Sequence, residues 1–130
     1  MGQFNNLQSA DGFLVPAYVA QPDGAPRGAV VVLQEIFGVN SHIRSVADGY
    51  AAAGYLAVAP STFHRVKPGA ELGYTDEDMK AGFALKTAVE ELPARPAYSM
   101  AACRSCSTPG AGRASTAVLS AKPAFMSSSL

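Results

Sequence analysis

Two apolar segments of the sequence are each followed by a residue that can take part in chemistry. Glu35 follows the run Ala29 to Leu33, and Arg65 follows the run Leu56 to Ala59. A carboxylate in such a loop can act as a base, orient a nucleophile or bind a cation, and a guanidinium suits a substrate carboxylate through a bidentate contact. The backbone N–H of Ile36 can contribute to an oxyanion hole, since donors in a fixed loop are in place before the reaction. The alternatives are a solvated loop glutamate and an exposed surface arginine.

No other residue gives a convincing nucleophile or metal ligand. His42 and His64 are lone loop or helix-end histidines, for which solvation is the more frequent role. Cys103 and Cys106 have C-x-x-C spacing, but no second Cys/His pair lies near them, so chance is favoured over redox or zinc chemistry. The sequence contains no G-x-S-x-G or G-x-C-x-G turn, no phosphate-binding loop and no G-x-G-x-x-G. We therefore expect no nucleophile, no metal and no cofactor from these residues.

The elements that position Glu35 and Arg65 form one strand–helix–strand unit over residues 28–60. The Val-rich run after Gly28 is typical of a strand buried on both faces. Ser41 is the predicted N-cap of a helix over 41–53, whose apolar stripe leaves Asp48 facing solvent. Gly54 is placed where a helix ends in a left-handed residue. Two strands joined by one helix lie parallel, and ligands bind outside their carboxyl ends.

Two further elements flank this unit. Residues 4–9 and 13–20 are predicted to form a hairpin around Ala10-Asp11-Gly12, because Asp-Gly is a strong hairpin signal. Pro16 favours an edge or bulged position for the second of these strands. Thr75 begins a capping-box pattern with acids in the first turn, so a helix is predicted from there to near Pro93. Its predicted apolar stripe consists of Ala81, Leu85, Ala88, Val89 and Leu92.

Length, composition and charge limit the function classes. The 130 residues are enough for one domain with a real core. We expect no membrane span, because no apolar run approaches 18 residues, and no signal peptide, so the expected location is cytoplasmic. The formal net charge is zero, but residues 1–91 carry −4 and residues 92–130 carry +4. Four scattered cations without interleaved aromatics are a poor nucleic-acid footprint, so no nucleic-acid partner is expected.

The last part of the chain differs from the rest in composition. Residues 94–130 are rich in Ser, Ala, Pro and Arg and contain neither Asp nor Glu. Only 114–121 has a pattern that suits a short strand or helix. This composition favours a disordered tail, and a segment read in a different frame is the sharper hypothesis.

The motif QEIFGVN at residues 34–40, with VVVL before it and AGY and AVAP after it, resembles the dienelactone hydrolase family. FHRVKPG at 63–69 is similar to a family segment in which an arginine follows an aromatic residue. The resemblance implies an α/β-hydrolase fold with a Cys-His-Asp triad and no metal or cofactor. It implies that Glu35 contacts the nucleophilic cysteine, that the Ile36 N–H lines the oxyanion hole, and that Arg65 binds the carboxylate of a small-molecule ester or lactone.

The departure from the family pattern lies after residue 93. The resemblance covers roughly residues 7–92, and the cysteine elbow and the triad Asp and His are absent from the 130 residues. The expected fold class is therefore α/β, a truncated α/β-hydrolase-type sheet with a parallel βαβ core and an N-terminal hairpin. Residues 1–93 are assigned to that domain and 94–130 to an atypical tail. The function is either carboxymethylenebutenolidase-like ester hydrolysis, or that of an inactive truncated or frame-shifted product or a carboxylate-binding module.

Overall fold

The structure is a computed structural model that describes residues 1–92 and, for the backbone alone, residues 116–120. The Cys103–Cys106 pair and the remainder of the predicted tail lie outside this range. The described residues form five strands and two helices. These elements are β1 (Gln3–Gln8), β2 (Leu14–Ala20), β3 (Ala29–Leu33), α1 (Ser41–Ala52), β4 (Leu56–Pro60), α2 (Asp76–Glu90) and β5 (Thr116–Ser120).

The strands form one mixed sheet in the order β1-β2-β4-β3-β5. β3 pairs in parallel with β4, with Val31 opposite Val58, which confirms the predicted βαβ unit. β1 and β2 form the predicted antiparallel hairpin around Asp11-Gly12. The strand alternative for residues 114–121 is also confirmed, because β5 pairs in parallel with the other side of β3. β3 is therefore paired along both of its edges. Val30, Val31 and Val32 are buried, as the continuous apolar sequence of a strand covered on both faces predicts.

The predicted edge or bulged position of the Pro16-containing strand is wrong. β2 is an interior strand that pairs with β1 on one side and with β4 on the other. The ladder between β2 and β4 begins at Ala17, opposite Pro60, so the missing N–H of Pro16 falls just outside it. The Pro16 carbonyl still accepts a hydrogen bond of 2.8 Å from the Ser61 N–H.

Helix α1 packs on the sheet through the predicted apolar stripe. Ile43, Ala47 and Ala51 are buried, and Ile43 contributes about 1.5–3 kcal/mol by leaving water. The N-cap is Asn40 rather than the predicted Ser41, because the Asn40 side-chain oxygen accepts from the Ile43 N–H at 3.1 Å. Gly54 has φ of +92°, the predicted left-handed residue after the helix.

The helical periodicity predicted that the Asp48 side chain faces solvent. The structure places it against the hairpin instead. Its carboxylate accepts a hydrogen bond from the Tyr18 hydroxyl at 3.0 Å and from the Gly2 N–H at 2.9 Å. Burial, followed by the hydrogen bond to Asp48, raises the pKa of Tyr18. The side chain of Asp48 thus connects α1 to the hairpin, which the periodicity of one helix could not reveal.

Helix α2 has its predicted start but not its predicted burial. Thr75 and Asp78 form the capping box. Gly82 is the one α2 residue that is buried, whereas Phe83 is 54% exposed. Of the predicted stripe, Leu85, Ala88 and Val89 are half-buried and Ala81 and Leu92 are exposed. Neither α1 nor α2, the two helices of the described residues, is long and apolar enough to cross a membrane.

Candidate functional site

The loops that carry Glu35 and Arg65 leave the sheet at the same edge. β3 and β4 run parallel, so residues 34–40 and 61–67 both follow the carboxyl ends of neighbouring strands. The side chain of Gln34 connects the two loops, because its Oε1 accepts from the Thr62 N–H at 2.9 Å. Gln34 is only 3% exposed, and its Nε2 has no hydrogen-bond partner among the described residues. The buried hydrogen bond between Gln34 and Thr62 therefore joins the two loops.

The backbone of the loop after β3 turns sharply. Glu35 has φ of +60° and is the one residue other than glycine in the left-handed region among the described residues. Such a residue costs about 1–2 kcal/mol relative to ordinary backbone. Gly38 is also left-handed, with φ of +83°. The two residues redirect the chain from the end of β3 towards the start of α1.

A second segment, residues 70–72, contacts the loop after β3. The Phe37 carbonyl accepts from the Leu72 N–H at 2.8 Å, and Gly38 forms an antiparallel bridge with Glu71. A Cβ at Gly38 would overlap the Ala70 carbonyl oxygen, so the two backbones approach as closely as glycine allows. The loop is consequently held on both sides, by β3 and by residues 70–72.

Glu35 is half-buried in this loop. Burial raises the pKa of its carboxyl above the usual 4.5, and His42 partly opposes this effect. No hydrogen bond or ion pair within residues 1–92 engages its carboxylate. The group is therefore available to exchange a proton or to meet another residue.

The amide of Ile36 lies next to this carboxylate in the sequence. No carbonyl within residues 1–92 accepts a hydrogen bond from the Ile36 N–H. On the other side of the same residue, the Ile36 carbonyl lies against Gly82 of α2. Within the described part of the chain the donor thus has no acceptor, in a loop whose neighbouring atoms are held, as an oxyanion-binding group requires.

Arg65 is placed at the predicted edge, but its guanidinium is already engaged. Nη2 donates to both carboxylate oxygens of Asp11 at 2.8 Å and to Ser9 at 3.1 Å. The guanidinium also stacks on Phe13, 4.0 Å from the ring centre. The side chains of Arg65 and Asp11 are 16% and 17% exposed. Hydrogen bonds from Ser9 and then Arg65 hold the pKa of Asp11 far below its usual range.

The Arg65 Nε is buried and has no partner among the described residues. The Asp11 carboxylate, in the turn of the β1–β2 hairpin, balances most of the Arg65 charge. The predicted contact with a ligand carboxylate would need Asp11 to share or release Nη2. The sequence identified Asp11 only as a turn residue.

A cavity of about 180 Å³ lies beside this edge. Its walls include Ser61, His64 and Glu71 but neither Glu35 nor Arg65. The volume is below the roughly 300–1,000 Å³ of most small-molecule sites, so we place the candidate site at Glu35 and Ile36 instead. His64 lies against Phe13, with 6.1 Å between ring centres, and His42 is near enough to influence Glu35. No group of three metal-ligating side chains occurs within the described residues.

The chain is similar to a family of known proteins over most of its length. The model of the dienelactone hydrolase family matches residues 15–113. A "Putative carboxymethylenebutenolidase" of Synechocystis sp. is 48% identical over 81 residues, which cover 62% of this chain and 31% of that protein. A carboxymethylenebutenolidase of Pseudomonas putida is 40% identical over 72 residues, which cover 55% of this chain and 30% of that protein.

A comparison with solved structures points to the same family. The crystal structure of a "Putative Dienelactone Hydrolase" from Klebsiella pneumoniae matches with a TM-score of 0.52 and 35% identity. The match covers 62% of this chain and 34% of that one. The mixed sheet with its helices is thus an α/β-hydrolase-type fold, as predicted. The chain spans about a third of the length of each of these three proteins.

Proposed function

Because the chain belongs to the dienelactone hydrolase family, we propose that its ancestral activity is hydrolysis of a carboxylic ester or lactone. The observation that carries the proposal is the free Ile36 N–H beside the half-buried Glu35 carboxylate, in a loop held on both sides. The names of the matched relatives support the same reaction class. The substrate class is a small ester or lactone, and the proposal needs no membrane or nucleic-acid partner.

The two groups have different roles in the proposed reaction. The Ile36 N–H donates to the carbonyl oxygen of the substrate as negative charge develops on it, and such a donor contributes about 3–4 kcal/mol in well-studied hydrolases. Glu35, with its raised pKa, accepts a proton more readily near neutral pH than an exposed glutamate does. In the family pattern the proton comes from a cysteine thiol, whose thiolate attacks the carbonyl carbon. The alcohol part of the ester leaves with a proton, and water then hydrolyses the acyl-enzyme to release the acid.

Arg65 completes the proposed site as the ligand of a substrate carboxylate. Support comes from its position after β4, at the same edge as Glu35. The contact with Asp11 opposes the proposal, because a substrate carboxylate must compete with an internal one for the same Nη2. We therefore expect weak binding of anionic substrates unless the hairpin turn moves.

The alternative is that the 130-residue chain does not catalyse hydrolysis. A thiolate, a base and an orienting group act as a unit, and the sequence contains no G-x-C-x-G elbow. We propose that the chain as written binds a carbonyl or carboxylate ligand without turning it over. Reading the coding DNA beyond codon 93 in the other two frames tests the frame-shift hypothesis, since a G-x-C-x-G-G string there would support it.

The experiment measures hydrolysis of a dienelactone and of an activated aryl ester by the 130-residue chain. We expect no multiple turnover above the buffer rate, together with a shift of the Ile36 amide resonance when the lactone is added. Glu35→Gln should alter that shift, and Glu90→Gln, which removes an exposed carboxylate paired with Lys86, is the matched control. Turnover that disappears with Cys103→Ser or Cys106→Ser would contradict the non-catalytic alternative. An Ile36 amide that ignores the lactone would contradict the proposed site.

A further inference from the structure

Helix α2 approaches the candidate site closely at Gly82. Gly82 is buried, and a Cβ built on it would overlap the Ile36 carbonyl oxygen and lie 3.1 Å from the Ile36 carbonyl carbon. The same Cβ would lie 3.2 Å from the Ile36 Cβ. All three atoms belong to Ile36, so Ile36 fills the space that a side chain at position 82 would take.

The rest of α2 is only partly buried. Of the three large apolar side chains within three residues of Gly82, Met79 and Phe83 are 40% and 54% exposed and Leu85 is half-buried. The capping box at Thr75 and Asp78 stabilises the start of the helix. Gly82, the one buried residue of α2, is therefore the position at which α2 packs against the loop after β3.

This contact acts on the peptide unit next to the free Ile36 N–H. The Ile36 carbonyl meets Gly82 on one side, and the next carbonyl, that of Phe37, accepts from the Leu72 N–H at 2.8 Å. These contacts restrict the ψ angles of Ile36 and Phe37. Because the left-handed Glu35 precedes the Ile36 N–H, the residue that carries the donor is restricted on both sides.

We propose that Gly82 is a positioning residue that fixes the Ile36 peptide and thereby the direction of the candidate oxyanion donor. The inference rests on the proposed function of the Ile36 N–H, and Gly82 itself touches no reacting atom. Any side chain at position 82 must move α2 away from the loop or rotate the Ile36 carbonyl. Either movement removes the contact that holds the residue carrying the donor.

The test compares Gly82→Ala with Gly49→Ala in the full 130-residue chain. Gly49 is a helical glycine of α1 whose added Cβ would meet nothing within 4 Å, so it controls for the change in helix propensity. We expect Gly82→Ala to displace the Ile36 and Phe37 amide resonances well beyond the largest displacement in Gly49→Ala. The response of the Ile36 amide to the added lactone should weaken in Gly82→Ala alone. Resonances and a lactone response that match those of the control would overturn the proposal.

A second variant covers the case in which Gly82→Ala does not fold. Thr75→Ala removes the N-cap hydroxyl that accepts from the Asp78 N–H, and it frays α2 without adding an atom at position 82. It should also displace the Ile36 amide, by a smaller amount. An Ile36 amide that stays in place while α2 frays would overturn the proposal. Failure of the proposed function has a different signature, since the unsubstituted chain would then show no response of Ile36 to the lactone.

Discussion

Gly38→Ala is the substitution for which the structure predicts the largest loss of stability in the site loop. Gly38 has φ of +83°, and its added Cβ would overlap the Ala70 carbonyl oxygen and lie 2.9 Å from the Ala70 carbonyl carbon. The atoms that it meets are backbone, which cannot rotate away as a flexible side chain would. The segment 70–72 must therefore shift.

The magnitude has two parts, and a control separates them. A left-handed alanine costs about 1–2 kcal/mol, which a smaller unfolded-state entropy offsets by about 0.4–1 kcal/mol. The shift adds loss of the hydrogen bond from the Leu72 N–H to the Phe37 carbonyl, which belongs to the Gly38–Glu71 bridge, about 0.5–1.5 kcal/mol. The sum is about 2 kcal/mol. Gly69→Ala, with φ of +67° and nothing within 4 Å of its Cβ, should cost only about 1 kcal/mol.

Urea unfolding followed by circular dichroism measures both variants. The linear slope should be the same in Gly38→Ala, Gly69→Ala and the unsubstituted chain, so that the midpoints report the free energy of unfolding. Equal midpoints for the two alanine variants would refute the reasoning, because they would mean that the close approach of Gly38 to Ala70 does not hold the loop.

Three further predictions concern a cap and two carboxyls. Asn40→Ala should lower the free energy of unfolding by at least about 1 kcal/mol in urea melts, since the N-cap bond to Ile43 is lost. Because the pKa of Glu35 is raised, the folded state binds more protons than the unfolded state. The free energy of unfolding should therefore fall as pH rises above 4.5, and Glu35→Gln should remove that fall. Asp11 binds fewer protons in the folded state, so its contribution should be full above its usual pKa of 3.8 and lost as pH falls further. Asp11→Asn should flatten that acid limb of the stability–pH curve, and an unchanged limb would contradict the Arg65 ion pair.

The sequence predicted the parallel unit because its signals are local. A Val-rich run, a 3.6-residue apolar period and a glycine after the last turn each depend on neighbours within one element. The capping box at Thr75 is equally local and is present. The N-cap of α1 differed by one residue because Asn40 and Ser41 are both good caps, and only the bond to Ile43 distinguishes them.

The contacts that the sequence did not predict all join distant residues. Asp11 and Arg65 are 54 positions apart, and Tyr18 and Asp48 are 30 apart. Nothing in either local pattern requires the partner, so Asp48 was assigned to solvent and Asp11 to a turn. For α2 the periodicity defined a stripe, but burial depends on what lies opposite, and only Gly82 is buried among the residues of that helix.

The position of Glu35 combines two unfavourable features that stability alone does not explain. Its left-handed backbone would suit glycine better by about 1–2 kcal/mol. Its half-buried carboxylate has a raised pKa and no hydrogen-bonding partner among the described residues, so ionisation is also disfavoured. A solvated loop glutamate would have neither feature. Strained backbone and a shifted carboxyl in one residue are characteristic of sites that act on a ligand. Since the free Ile36 N–H follows directly, the two costs favour the proposed role of this pair over a purely structural loop.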